Sequence, residues 1–183
     1  MRVVLFLLDV LFFFLVGAAL LRAWMNHLRV PMQVQPGRFV MAISDWLVQP
    51  LRRVLPAALA KGRIDAGSLL AALLLALAHA LIVVLLFTGG SADGVGGASM
   101  AVAVLMLALK QLLRTVLQGL LILLIGYAIL SWVQPHSPVM GFLDRLCAPL
   151  LRPLRRVVPL VGGVDLSALV LIIGLQVGLM LLG

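Results

Sequence analysis

Apolar residues run nearly unbroken through four stretches, 3–21, 66–87, 115–133 and 164–182, with the charged residues gathered mainly between them. A 19-residue helix is about 28 Å long, enough to cross the hydrocarbon of a bilayer. The pattern therefore predicts an all-α membrane protein with four transmembrane helices. The third apolar stretch begins early, at residue 100, and carries Lys110, Gln111, Arg114 and Gln118 in its interior. Residues 100–114 are then either a lead-in helix at the outer surface or a long outward extension of the span.

The connections have their own periodicity. In 36–50, Phe39, Ile43, Trp46 and Leu47 fall on one side at helical spacing, while Arg38, Asp45 and Gln49 fall elsewhere. This predicts an amphipathic helix in the membrane surface, started at Pro36 and ended by Pro50. Ser137-Pro138 opens a second one as N-cap and first helical residue, with Phe142, Leu143, Leu146 and Leu150 on its apolar side.

The heptapeptide Pro50-Leu51-Arg52-Arg53-Val54-Leu55-Pro56 returns as Pro153-Leu154-Arg155-Arg156-Val157-Val158-Pro159. Phe39 and Ile43 match Phe142 and Leu146 at the same offset, Trp24 corresponds to Trp132, and each copy precedes a lone aspartate, Asp65 or Asp165. The chain divides into two halves, 1–88 and 100–183, joined by a glycine-rich linker, 89–99. Seven Lys and Arg occupy residues 22–63 and four Arg occupy residues 134–163, while the linker has none. Both basic connections are thus expected in the cytoplasm, with both termini outside and the halves related as parallel repeats. A cleaved signal peptide is the rival reading of the first stretch. The lone Arg2 before it, Asp9 within it and the positive charges after it favour a retained span.

With 64% apolar and 11% charged residues, the chain cannot be a water-soluble globule. Its net charge of +8 lies between the spans, where topology and anionic phospholipid explain it ahead of nucleic acid. The single cysteine, Cys147, allows neither an intrachain disulfide nor a thiolate metal cluster. The sequence holds no nucleophile with its base, no phosphate-binding loop and no dinucleotide fingerprint. A non-enzymatic protein without a cofactor is expected.

From residue 131 the segments SWVQPHSP, LLRPLRRVVP and GGVDLS resemble the YggT family, also called YlmG, and the likeness extends over both halves. The resemblance implies a small bacterial inner-membrane protein with plastid relatives. It links the chain to osmotic or envelope stress, potassium uptake, cell division or, in plastids, cytochrome assembly. The first copy departs from the pattern by three additional residues before Asp65. The functions to weigh are a scaffold that binds lipid and membrane partners, a transporter or channel component for a monovalent cation, and an assembly factor for a membrane cytochrome.

Several residues carry candidate chemistry. Prolines flanking Arg52, Arg53, Arg155 and Arg156 are expected to hold the backbone extended or turned, presenting guanidinium groups to phosphate headgroups; alternatively the arginines pair with Asp65 and Asp165. Those aspartates also suit capping of the spans that follow them. His79, near the middle of the second span, has no sequence partner at metal-ligand spacing and fits a structural hydrogen bond, a proton carrier or a haem ligand. Lys110, Arg114 and Gln118 form a polar stripe that either lines an ion path or snorkels to the interface. Asp9 is the one acid inside a span, and counting depth from Trp24 and Trp132 predicts an ion pair with Arg114, with Lys110 as the alternative. Gly174 with Gly178, and Ala72 with Ala76 and Ala80, give small-residue faces that pack helices within one chain or between subunits of a homo-oligomer.

Overall fold

The computed structural model describes residues 2–30, 37–54, 65–88, 97–156 and 166–183. These form six helices: α1 (Arg2–His27), α2 (Gly37–Val54), α3 (Ala66–Thr88), α4 (Gly97–Val133), α5 (Pro138–Arg155) and α6 (Leu166–Leu182). No strand occurs among the described residues. Three helices, α1, α3 and α4, are long and apolar enough to cross a membrane, and α6 is a shorter apolar helix of 17 residues. Pro36, most of the glycine linker, Pro159 and Asp165 lie outside the described residues.

Helix α4 is continuous over 37 residues, about 55 Å. Residues 98–118 contain neither glycine nor proline and are rich in Ala and Leu, so nothing interrupts the ladder. The segment 100–114 is therefore an extension of the third apolar stretch along one axis.

The prolines do not end α2 and α5. Pro50 lies inside α2, and Pro149 and Pro153 lie inside α5. The Pro-Leu-Arg-Arg segments are helical where the sequence predicts extended or turned backbone. All three prolines are on exposed faces; each removes one backbone hydrogen bond, and the ladder resumes. At the start of α5, Ser137 accepts a hydrogen bond from Met140 N at 3.1 Å.

Helices α1, α2 and α3 pack around one core and α4, α5 and α6 around another, and the two trios are joined by extensive packing of α3 on α4. Val16, Ala19, Val48, Ala71 and Ala72 fill the first. Leu124, Tyr127, Cys147, Leu151, Ala168 and Leu175 fill the second. Ala76 and Ala80 of α3 meet Ala108 of α4 in a third cluster, where the absent side-chain bulk lets the helices approach. A fourth cluster joins the trios: Met25, Val30 and Val40 close over Leu146, and the Trp24 indole donates to Leu146 O at 3.2 Å. Trp132, its counterpart in sequence, is 71% exposed.

Candidate functional site

Cations concentrate at the end of the bundle where α1 finishes and α3 begins. There Asp65 precedes α3 and accepts from Ser68 N at 3.2 Å and from Ser68 Oγ at 2.7 Å, capping the helix. The same carboxylate receives both Nε (3.3 Å) and Nη2 of Arg52, a two-pronged guanidinium contact. Arg52 reaches it by lying across Gly67; a Cβ there would stand 2.7 Å from Arg52 Cγ. Burial alone would raise the Asp65 carboxyl, but the hydrogen bonds from Arg52 and Ser68 outweigh it and hold the pKa below its ordinary 3.8.

The second heptapeptide copy makes a different bond. Arg155 donates to the Tyr127 hydroxyl at 2.6 Å, with its guanidinium carbon 6.0 Å from the centre of the Tyr127 ring. In both copies the first arginine thus turns toward the protein. Arg53 and Arg156, the second of each pair, are exposed, as are Arg155 itself, Arg38, Arg145 and Arg152.

Arg22 is the most buried cation among the described residues, 3% exposed, and α1 carries it inside the helix rather than in the connection that follows the span. Its Nη1 donates to Ser44 Oγ at 2.9 Å and to Asp45 Oδ1 at 2.6 Å, tying α1 to α2. Phe39 and Trp46 of α2 point away from this contact and are more than half exposed. Cys147 is buried in the second core; burial and the neighbouring Asp144 push its thiol up to about 11.

Away from the basic end, His79 is 4% exposed and Asp9 Oδ1 lies 3.0 Å from its Nε2. The approach lacks hydrogen-bond geometry, for neither imidazole nitrogen has a hydrogen-bond partner. Phe12 packs on the imidazole, ring centres 4.9 Å apart. This corrects the expected Asp9–Arg114 pair. That pairing assumed equal depth for Trp24 and Trp132, but Gly17 lies against Thr115, so Asp9 is level with residue 107, about 10 Å short of Arg114. It also gives His79 the partner that the sequence did not reveal.

The remaining candidates do not converge. Lys110 donates to Gly183 O at 3.1 Å; Arg114 is exposed and Gln118 half-buried. Ala72, Ala76 and Ala80 are fully buried. Gly174 has open space around it, and a Cβ on Gly178 would meet only Leu117 Cδ1, at 3.5 Å. Among the described residues no group of three or more His, Cys, Asp or Glu could hold a metal ion.

The family model CCB3/YggT matches residues 1–86 and 106–183, nearly the whole chain. The chain belongs to the CCB3/YggT family. It is 35% identical to the uncharacterized protein YggT of Escherichia coli K12, over 97% of this chain and 87% of the relative. An uncharacterized protein in the proC 3' region of Vibrio alginolyticus is 33% identical, over 97% of this chain and 92% of the relative. A Haemophilus influenzae protein, also uncharacterized, is 28% identical over 82% of this chain and 75% of the relative. No solved structure matches the chain.

Within this YggT-family fold, two contacts were hidden in the sequence. Asp45 sits among polar residues of an amphipathic helix, and nothing in its spacing identifies Arg22 as its partner. Tyr127, the only tyrosine in the chain, was the available signal for the Arg155 contact, because a phenol in an apolar helix needs a polar partner.

Proposed function

We propose that this protein is a four-span bacterial inner-membrane protein that binds anionic phospholipid at its cytoplasmic end and scaffolds other envelope proteins, with no reaction of its own. The observation that carries the reading is the division of labour within the two arginine pairs. Arg52 and Arg155 are bonded to Asp65 and Tyr127, which anchors their helices although Arg155 stays exposed, while Arg53 and Arg156 are exposed at the ends of α2 and α5. Guanidinium at a membrane surface suits bidentate contact with phosphate, and anionic lipid adds about 1 kcal/mol per basic residue.

In this reading α6 is the fourth crossing and α2 and α5 lie in the inner interface. Outward-facing Phe39 and Trp46 support that placement, since aromatic side chains favour the headgroup level. The matching trios support a duplicated unit, and the basic connections support cytoplasmic placement with both termini outside. Native mass spectrometry from mild detergent tests the lipid site. Arg53→Gln/Arg156→Gln should retain less phosphatidylglycerol and cardiolipin than wild type, whereas Arg29→Gln/Arg38→Gln should lose less. Equal lipid retention in wild type and the first variant would reduce the arginines to topological signals.

The Asp9–His79 contact favours a second reading, a component for passage of a monovalent cation. Proteoliposomes loaded with potassium would then show a flux that Asp9→Asn abolishes; no flux above empty liposomes removes this reading.

A further inference from the structure

Asp9 raises a problem that the fold leaves open. Its side chain is 60% exposed on a helix whose outward surface otherwise consists of Val3, Phe6, Leu7, Val10 and Phe14. A carboxylate facing hydrocarbon is costly, and its short side chain cannot snorkel as lysine does. The contact with His79 does not satisfy it, since the geometry lacks a hydrogen bond. The buried imidazole behind it instead fixes the carboxylate at the edge of α1, facing outward.

A cation that is itself exposed lies at matching depth on another face of the chain. Gly17 of α1 lies against Thr115 of α4, and the Met25 cluster further along α1 takes in Leu123 of α4, so the two helices run in the same direction. Counting eight residues back from Gly17 and Thr115 sets Asp9 level with Leu107, and Lys110 is three residues further on, within one helical turn. The α3 contacts agree, because Ala80, next to His79, packs in one cluster with Ala108. Lys110 is exposed and spends one of its three donors on Gly183 O. Around it Met106, Leu109 and Leu113 are exposed and apolar, with the exposed Arg114 one turn further in on the same face.

We propose that the Asp9 face of α1 is an interface for a second copy of this chain, with Asp9 of one copy paired to Lys110 of the other. Copies in one membrane share orientation and depth, so a residue pair matched in level within one chain is also matched between neighbours. Charge complementarity at equal depth selects the occupant: the α1 face carries Asp9, and of the two exposed cations on the α4 stripe, Lys110 and Arg114, Lys110 is the one at the Asp9 level. Burying the pair between helices removes both from lipid.

Disulfide trapping in native membranes tests this, in a Cys147→Ala background that leaves no other thiol. Phe6 and Met106 lie one turn outward from Asp9 and Lys110 and are both exposed. One differently tagged copy carries Phe6→Cys and the other Met106→Cys; oxidation should give a cross-linked species carrying both tags. Adding Asp9→Asn to the first copy or Lys110→Gln to the second should cut that species several-fold. Exchanging the charges, Asp9→Lys in one and Lys110→Asp in the other, should restore most of it. Melting of the detergent-solubilised single-charge variants checks that they remain folded. Absence of the mixed cross-link, cross-linking indifferent to both charges, or loss that charge exchange fails to restore overturns the proposal. A cross-link of Phe6→Cys to a different protein in place of the second copy overturns it as well.

Discussion

A methyl group on Gly67 would stand 2.7 Å from Arg52 Cγ and push the guanidinium off Asp65. Gly67→Ala should therefore lower stability in detergent by about 1–3 kcal/mol despite the better helix propensity of alanine. Adding Arg52→Gln to it should cost less than the sum of the two, because both break one contact. Asp65 also sets an acid limit. Its pKa is lowered in the fold, so its stabilisation is fully present above the ordinary 3.8 and disappears as pH falls through the lowered value. Thermal melts should show that acid loss in wild type and a flattened limb in Asp65→Asn. Cys147 behaves oppositely: with its thiol at about 11 in a closed core, it should resist maleimide at neutral pH until the protein is denatured. Of these contacts, the capping by Asp65 and, as one alternative, its pairing with an arginine of the heptapeptide could be argued from the sequence. The bond from Arg52 needed a helix through Pro50, which local proline preference argues against.

At the level of elements, hydrophobic runs located α3 and α6 to within a few residues, whereas α1 continues to His27 beyond the predicted end at 21 and α4 begins at Gly97, well before the main span expected from 115. Boundaries were less legible where a charge sits inside a helix. Arg22 looked like the end of a span and is instead a buried link to α2, since Ser44 and Asp45 compensate its burial. Removing that compensation should be expensive: Asp45→Asn leaves Arg22 largely unpaired and should cost about 1–3 kcal/mol in detergent melts. The alanine face of α3 was visible as a pattern, but its partners, Ala108 and the α1 core, came only from the three-dimensional packing. Ala76 is fully buried against α4. Leucine there forces the helices apart, and Ala76→Leu should lower the melting temperature while Leu74→Ala, on an exposed position, changes it little.

For the whole molecule, the repeated heptapeptide suggests two like halves, and the contacts its two copies make are unlike. The duplicated heptapeptide predicts like with like, whereas one copy binds a carboxylate and the other a phenol. Trp24 and Trp132 occupy matching places in the pattern, and only the first is docked. Depth arguments that treated them as equal failed for Asp9 for that reason. The four-span topology remains open to a direct test: cysteine or enzyme tags at residue 92 should report the outer side, and tags at 61 and 136 the cytoplasm.

The hydrogen bond from Trp24 to Leu146 O, with Met25 and Val40 closed over the same leucine, bears on how the polypeptide can be divided. The grip between the trios comes from side chains on α1, α2, α3, α4 and α5, so covalent continuity between residues 88 and 97 is dispensable to it. Two polypeptides made from separate genes, one ending in the linker and one beginning there, should find each other in the membrane and co-purify. Either one made alone should be degraded, since Leu146, Leu123 and Phe142 lose their cover without the first, and Met25 and Val40 lose theirs without the second. Two copies of the second fragment are no substitute, because neither offers an indole in the place of Trp24. What began in the pattern as a repetition functions in the structure as lock and key.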